Sequence, residues 1–328
     1  MALVFKELYH QDLLDTTYYA HDSFLTSKRV VQIPAASLQR IDALADNAIS
    51  LADQQIKANP RDADAYFARG YARGIHAGFL TLALHSWVTA ARQGYASKTD
   101  SDQVLAIDPK YADARMAIGI QQFSVASLPR FIRLMVGMVG VGGSRERGLA
   151  MLRESAAHGT ITAVESRTVM SLFLRHDARY PEALEVERGL AQEFPHNYLY
   201  RLEEANLQKD EGNGPAAIVA YKHVLQDAAQ PGYFVDPRLQ LALFGLAETE
   251  RGQNLVADAA QHYLQAAEQP MCSDWLRKRS QLNAGEMFDL LHDRKKAVWL
   301  YQMAAAGGGD QSQADAARRY LKTPYAGR

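Results

Sequence analysis

The chain has 328 residues, 48% of them hydrophobic and 22% charged, the proportions of a folded globular protein rather than a disordered one. Its 36 Lys plus Arg against 37 Asp plus Glu exclude the basic excess that a general nucleic-acid binder needs to displace counterions. Cys272 is the only cysteine, which excludes an intrachain disulfide and a cysteine zinc cluster; a free thiol fits a reducing compartment, with the cytoplasm as the default.

Residues 3–14 read as an amphipathic helix that begins without the polar cap of a repeat array. That start leaves two readings open, a native end or the loss of a preceding segment, and a leader in such a segment would move the protein to the periplasm or outside the cell. A polar aromatic loop, Thr16-Thr-Tyr-Tyr-Ala-His-Asp22, follows. Pro34 opens a helix over 35–57, with Leu38, Ile41, Leu44, Ala45, Ala48 and Ala52 on one stripe, and Asn59-Pro60 stops it. One long helix is predicted over 62–92, carrying Tyr66, Gly70, Tyr71 and Trp87, and another over 95–107. Pro60 precedes Gly70 by ten residues and Pro109 precedes Gly119 by ten, a repeat register with elongated helices.

A third block over 112–126 leads to Ser127-Leu-Pro129, a short apolar helix, the loop Gly140-Val-Gly-Gly-Ser144 and a helix to residue 157. The apolar run from Phe131 to Gly143 is glycine-broken, interrupted by Arg133, and shorter than the roughly 20 apolar residues of a membrane-crossing helix. It is expected in the core, plugging one end of a helix pair, with an exposed membrane-touching hairpin as the minority alternative. Regular pairs follow: 162–177 with 181–193, 197–211 with 215–227, 238–251 with 256–268, and 273–292 with 295–305. Gln230-Pro-Gly-Tyr-Phe-Val-Asp-Pro237 reads as a turn-rich insertion, Gly307-Gly-Gly309 as the close of the last pair, and 310–322 as a solvating end helix.

Inside the regular half one pattern recurs: Ala217-Ile-Val-Ala-Tyr221, Ala259-Ala-Gln-His-Tyr263 and Ala297-Val-Trp-Leu-Tyr301, at steps of 42 and 38, with Ala183 lying 34 residues before Ala217. A period near 34 with a small residue, three others and an aromatic is the tetratricopeptide signature. The alanine is small because two helices cross there, and the tyrosine is expected to fill the groove opened by the next pair. The fold class is all-α, a right-handed tetratricopeptide-repeat helical solenoid of about six helix pairs over residues 1–328. Elongated, irregular pairs span 1–160, regular repeats 161–309, and an end helix with tail 310–328.

Gly119-Ile-Gln-Gln-Phe123, Ser127-Leu-Pro129 and Gly140-Val-Gly-Gly-Ser-Arg-Glu-Arg-Gly148-Leu149 resemble the tetratricopeptide repeat protein 39 family and its bacterial relatives. In that family a Gly-Phe helix leads to a Ser-Leu-(Leu)-Pro turn, an apolar helix and a Gly-Phe-x-Gly-Asp-Arg-Glu-x-Gly-Leu loop. Val141 replaces the aromatic and Ser144 the acidic residue, which Ser144 can replace as a helix cap. The resemblance implies an all-helical repeat fold and a protein-interaction role, and it implies no catalytic residue.

The ten histidines form no HExxH or His-x3-His pattern, and no cysteine pattern supports them as metal ligands. Adjacent residues such as His21-Asp22-Ser23 cannot point at one another as a triad requires. Gly137-Met-Val-Gly-Val-Gly-Gly143 follows a helix and lacks the Gly-Lys-Ser/Thr ending, so it reads as a turn rather than a phosphate loop. No catalytic residue, metal or cofactor is expected. The protein reads as a non-enzymatic scaffold or adaptor. Arg130, Arg133, Arg145, Arg147 and Arg153, with Glu146 among them, read as a solvated face bridging repeats, or alternatively as a contact for an acidic partner or membrane surface.

In such arrays the first helix of each pair lines the concave face. That places Phe67, Tyr71, Met116, Ile120 and Phe123 in the N-terminal half, and Arg175, His176, Asn206, Lys209, Glu248, Arg251 and Glu286 in the C-terminal half. A groove apolar at one end and charged at the other suits a protein or peptide segment, and Arg175, Lys209 and Arg251 would steer an acidic one. The alternative is a small-ligand or lipid module built on an apolar pocket around Phe67, Phe123 and Phe131.

Overall fold

A computed structural model describes residues 1–16, 31–138, 140–306 and 311–327. The expected loop after Thr16, the His21-Asp22-Ser23 run and the Gly307–Gly309 closure lie outside the described residues. In chain order the helices are α1 (Ala2–His10), α2 (Ala35–Ala58), α3 (Ala63–Leu82), α4 (Trp87–Ile107), α5 (Arg115–Ser127), α6 (Arg130–Met138), α7 (Arg145–His158) and α8 (Ala163–His176). They continue as α9 (Tyr180–Glu193), α10 (Tyr198–Asp210), α11 (Gly214–Ala228), α12 (Leu239–Gly252), α13 (Val256–Glu268), α14 (Asp274–Leu290), α15 (Arg294–Ala305) and α16 (Gln311–Lys322). Among the described residues there is no strand, and the fold is of the all-α helical-repeat class.

Local chemistry fixes the ends. Asp62 caps α3 by accepting from the Ala65 N–H, Ser144 caps α7 by accepting from the Arg147 N–H, and Asn213 and Asp293 do the same for α11 and α15. Pro181 and Pro215 sit in the first turns of α9 and α11, where a missing N–H costs nothing. The predicted single helix over 62–92 is instead two. His85 adopts φ 49°, and the Ser86 N–H reaches back to the Leu80 carbonyl at 3.0 Å, closing α3 with a left-handed cap before α4 begins at Trp87.

The chain forms two compact units. The first is Met1–Leu13 with Val31–Asp177, and the second is Ala178–Arg328 with the described residues of Leu14–Val30. This division falls inside the expected pair of 162–177 with 181–193, so that α8 ends the first unit and α9 opens the second. In the first unit α3 and α4 run antiparallel, with Phe67 beside Val104 at one end and Gly70 against Ser97 and Asp100 further along. Asp100, almost fully buried, takes Arg69 at 2.5 Å and Arg73 at 2.6 Å. Helix α5 pairs with α7, and α6 is inserted between them. The α5/α7 crossing is made by two glycines: a Cβ on Gly119 would lie 2.9 Å from the Gly148 carbonyl, and one on Gly148 2.8 Å from that of Gly119.

The apolar segment expected in the core is not there. Phe131, Ile132, Leu134 and Met138 of α6 are exposed, as is Arg133, which donates to the Ala126 carbonyl at 2.9 Å. The crossing of α5 and α7 is already closed by glycines and by Leu149 and Leu152, leaving α6 no interior space to fill.

In the second unit α10/α11, α12/α13 and α14/α15 are the regular pairs, and α16 packs on α15. Ala217, Ala259 and Ala297 are fully buried at their crossings, as are Tyr221, Tyr263 and Tyr301. Tyr221 does fill the groove of the next pair, where a Cβ on Gly245 of α12 would overlap its ring at 2.5 Å. Tyr301 departs from that expectation. It packs against Gly285 of its own pair, where a Cβ would meet the ring at 2.6 Å, because α14/α15 is the last pair and only the end helix α16 follows it.

Candidate functional site

The first helices of the regular pairs carry repeat-equivalent side chains at the same 42- and 38-residue steps as the tyrosines: Asn206, Glu248 and Glu286, and one turn on Lys209, Arg251 and Asp289. The second-helix tyrosines hold the first set in place. Tyr221 donates to Asn206 at 2.6 Å, and Tyr263 donates to Glu248. Asn283 donates to Glu248 as well, at 2.8 Å. Burial and the Glu248 carboxylate push the Tyr263 hydroxyl well above its usual range, so it remains a proton donor.

Glu286 is buried, and burial raises its carboxyl against the opposing pull of Arg251 and Arg279. Arg251 closes on it at 2.8 Å, donates to the Tyr325 hydroxyl at 3.0 Å and lies over the Tyr325 ring. Despite partial burial, Glu286, Tyr263 and Tyr325 hold the Arg251 guanidinium above its ordinary value. Lys209 lies 3.8 Å from Asp210 and keeps a fifth of its side chain exposed.

Two pieces of the chain from outside the repeat pairs already lie on these helices. Thr16 donates its hydroxyl to Glu203 of α10, and Asp15 accepts from the Asn206 side-chain amide at 3.1 Å. At the other end the Tyr325 N–H donates to Asp289 at 2.8 Å, and Arg294 binds the Tyr320 and Leu321 carbonyls at 2.7 and 2.9 Å. Pattern reading placed Asn206, Lys209, Glu248, Arg251 and Glu286 on first helices. It missed Glu203, Asn283, Asp289 and Tyr325; the 38-residue step from Arg251 to Asp289 is the signal that could have found one of them.

In the first unit the expected residues separate. Phe67 and Tyr71 stack at 5.7 Å between ring centres and line a mostly apolar cleft of about 510 Å³. Ile41, Leu44, Ile75, Tyr111 and Met1 are among its walls. Burial, with Glu165 adding to it, pushes the Tyr71 hydroxyl up to about 12. Met116 and Ile120 are half-buried and outside the cleft. Phe123 lies flat on Phe173 at 4.0 Å, edge-on to His176, with Arg145 over its face. Phe131 is exposed, so Phe67, Phe123 and Phe131 do not surround one pocket. Arg175 is buried to 2% and presents no free charge to a groove.

Of the arginine cluster, Arg145 bridges to Asp177 at 2.7 Å, the repeat-bridging role expected of that face. Asp113, just before α5, performs a structural task that the sequence did not suggest. Its carboxylate accepts the backbone N–H groups of Thr160, Ile161 and Thr162 at 2.7–3.1 Å, where α8 begins. Burial opposes its ionisation, but these donors hold the carboxyl below its usual range.

No family model matches the chain, and no curated protein matches it. The crystal structure of yeast Tom70 is similar with a TM-score of 0.51 at 11% identity, over 95% of this chain and 68% of that one. The P58(IPK) TPR domain aligns over 95% of this chain and 98% of its own, at 13% identity and a TM-score of 0.20. The Tom70 likeness is one of fold: an array of tetratricopeptide-like helical repeats.

Proposed function

We propose that the chain is a non-enzymatic scaffold that binds an extended protein segment along the first helices of its second unit. The observation that carries this reading is that Asp15-Thr16 and the Tyr325 tail are both held on α10, α12 and α14 by side chains of the repeat-equivalent layout or their neighbours. These contacts use one hydroxyl, one amide, one guanidinium and one backbone N–H, the groups that fix a peptide without reading a long sequence. The likeness of Gly119–Leu149 to the tetratricopeptide repeat protein 39 family fits the same role.

The segment best suited to this face offers hydroxyl and amide donors, as Thr16 does. Glu203, Glu248, Glu286 and Asp289 outnumber Lys209 and Arg251 there, and Arg251 is committed to Glu286. The acidic partner expected from Arg175, Lys209 and Arg251 keeps only Lys209 in its favour. A photo-crosslinking residue at Lys209 tests the face against one at Lys222, which is exposed on the second helix α11. Crosslinks to one partner segment from Lys209 and not from Lys222 support it; crosslinks from Lys222 alone overturn it.

A second reading rests on the cleft around Phe67 and Tyr71, whose volume of about 510 Å³ is that of a small-molecule site. Here the bound species would be apolar, with the Tyr71 hydroxyl as its polar anchor. Native mass spectrometry of the purified protein should show an adduct that Ala72→Trp, filling the cleft, removes; an unliganded spectrum and no uptake of added lipid would eliminate this reading.

A further inference from the structure

Helix α6 is exposed at each of its described residues, apolar and basic alike. Phe131, Leu134 and Met138, at i, i+3 and i+7, share one side and are exposed to 73%, 67% and 75%, while Arg133, also exposed, reaches back to the Ala126 carbonyl. The helix is tethered at both ends. Pro129 accepts from the Arg133 N–H at its start, and after it the loop returns through Gly143, where a Cβ would lie 2.5 Å from the Gln122 carbonyl of α5. The outward face is therefore fixed by the backbone around it.

The antiparallel order of the first unit puts other apolar side chains at the same end. Helices α3 and α5 both run toward it, α4 and α7 run away from it, and the Arg145–Asp177 pair marks the α8 terminus there. The α3–α4 turn consequently adds Leu84, Trp87 and Val88, all exposed. The charge at this end is predominantly basic, with Glu146 and Asp177 its acidic residues. No Asp or Glu occurs from Ala114 to Arg145 or from Ala83 to Thr99, in a chain whose net charge is −1. Arg92, Arg130 and Arg147 are exposed beside the apolar residues.

We propose that this end of the first unit docks on an anionic lipid bilayer, with α6 lying in the interface. Phe131, Leu134 and Met138 enter the acyl boundary, and Arg130 and Arg147 meet lipid phosphates. An exposed apolar helix face rimmed by an excess of arginines fits a fluid anionic surface. It offers a polypeptide no paired donors and acceptors to set a register, whereas a bilayer needs none.

The test is co-sedimentation of the full chain with vesicles of phosphatidylcholine alone and of phosphatidylcholine with phosphatidylglycerol. Binding is expected to the anionic vesicles, weakening with salt. Phe131→Ser with Leu134→Ser should lower the partition at least about ten-fold, and Arg130→Glu with Arg147→Glu by at least about ten-fold. Val219→Ser with Val235→Ser, equally exposed in the second unit, should leave it unchanged. Circular dichroism and melting of each variant should match the wild type, because the replaced side chains are at the surface. Absence of binding to anionic vesicles, equal binding to neutral ones, or full binding by the Phe131/Leu134 variant overturns the proposal. So does a vesicle-free dimer that those substitutions dissolve without any vesicle binding, which assigns the face to a second copy.

Discussion

Arg251 on α12 and Glu286 on α14 form a 2.8 Å ion pair that joins two successive first helices. Glu286 is buried while Arg251 keeps 30% of its side chain exposed, so the pair has an inner member that depends on an outer one. A residue that pattern reading offered to a partner is therefore part of the architecture that joins α12 to α14.

Replacing Arg251 with Gln should destabilise the protein by about 2 kcal/mol, less than the about 3–5 kcal/mol of fully buried pairs. Burial already raises the Glu286 carboxyl, and losing Arg251 raises it further. A carboxyl raised in the folded state takes up a proton on folding, so its penalty is full above the folded pKa and vanishes as pH falls below it. Urea denaturation should therefore show the deficit at about pH 8 shrinking at about pH 5. A deficit that grows on acidification would contradict this account of the pair.

Gly245 and Tyr221 test the packing between pairs. Alanine at 245 gains about 1 kcal/mol of helix propensity but sets its Cβ 2.5 Å from the Tyr221 ring. Overpacking should win by about 1–3 kcal/mol. In a Tyr221→Leu background the overlap is relieved, and the same Gly245→Ala change should be neutral or stabilising. Additive effects across this double-mutant cycle would mean that the two residues are not in contact.

Much of this packing was written in the residues, because repeat geometry forces one chemistry at one spacing. Small residues sit where helices cross and tyrosines sit behind them, so Ala217, Ala259 and Ala297 were legible. The ten-residue step from proline to a small residue, read at Gly70 and Gly119, also runs from Pro195 to Ala205 and from Pro237 to Ala247, both fully buried. The direction of α6 was not legible: an apolar run reads as core, and only the glycine crossing of α5 with α7 leaves it no room. The break at His85 was hidden for another reason, since a histidine in the left-handed region carries no glycine or proline mark. The occupancy of the first helices by Asp15, Thr16 and Tyr325 depends on contacts between residues far apart in sequence, which periodicity does not encode.

Asp113 should matter more to stability than its place in a short connection suggests. Asp113→Asn keeps one oxygen but turns an amide toward N–H donors, and about 1–3 kcal/mol should be lost. The wild-type carboxyl is held below its usual range, so its contribution is full above the unfolded value and is lost as pH falls through the folded one. Melting curves of variant and wild type should accordingly differ at neutral pH and converge in acid below about pH 4. A constant difference across that range would assign the effect to shape rather than charge.

The three repeat tyrosines, Tyr221, Tyr263 and Tyr301, give the last prediction, because their hydroxyls end on different acceptors. Tyr221 donates to the neutral amide oxygen of Asn206, whereas Tyr263 and Tyr301 donate to the carboxylates of Glu248 and Asp289. Replacement by Phe keeps each ring in its groove and removes only that bond. A hydrogen bond between neutral groups contributes about 0.5–1.5 kcal/mol, and one to a charged group about 1.5–3 kcal/mol. Asp289, however, retains Arg294 at 2.9 Å and the Tyr325 N–H at 2.8 Å, while Glu248 retains the Asn283 amide at 2.8 Å. Loss of the Tyr301 hydroxyl is thus better compensated than loss of the Tyr263 hydroxyl. The expected order of destabilisation in urea is Tyr263→Phe first, then Tyr301→Phe, with Tyr221→Phe the mildest. If Tyr221→Phe is the most damaging of the three, the carboxylates are not what holds these second helices to the first.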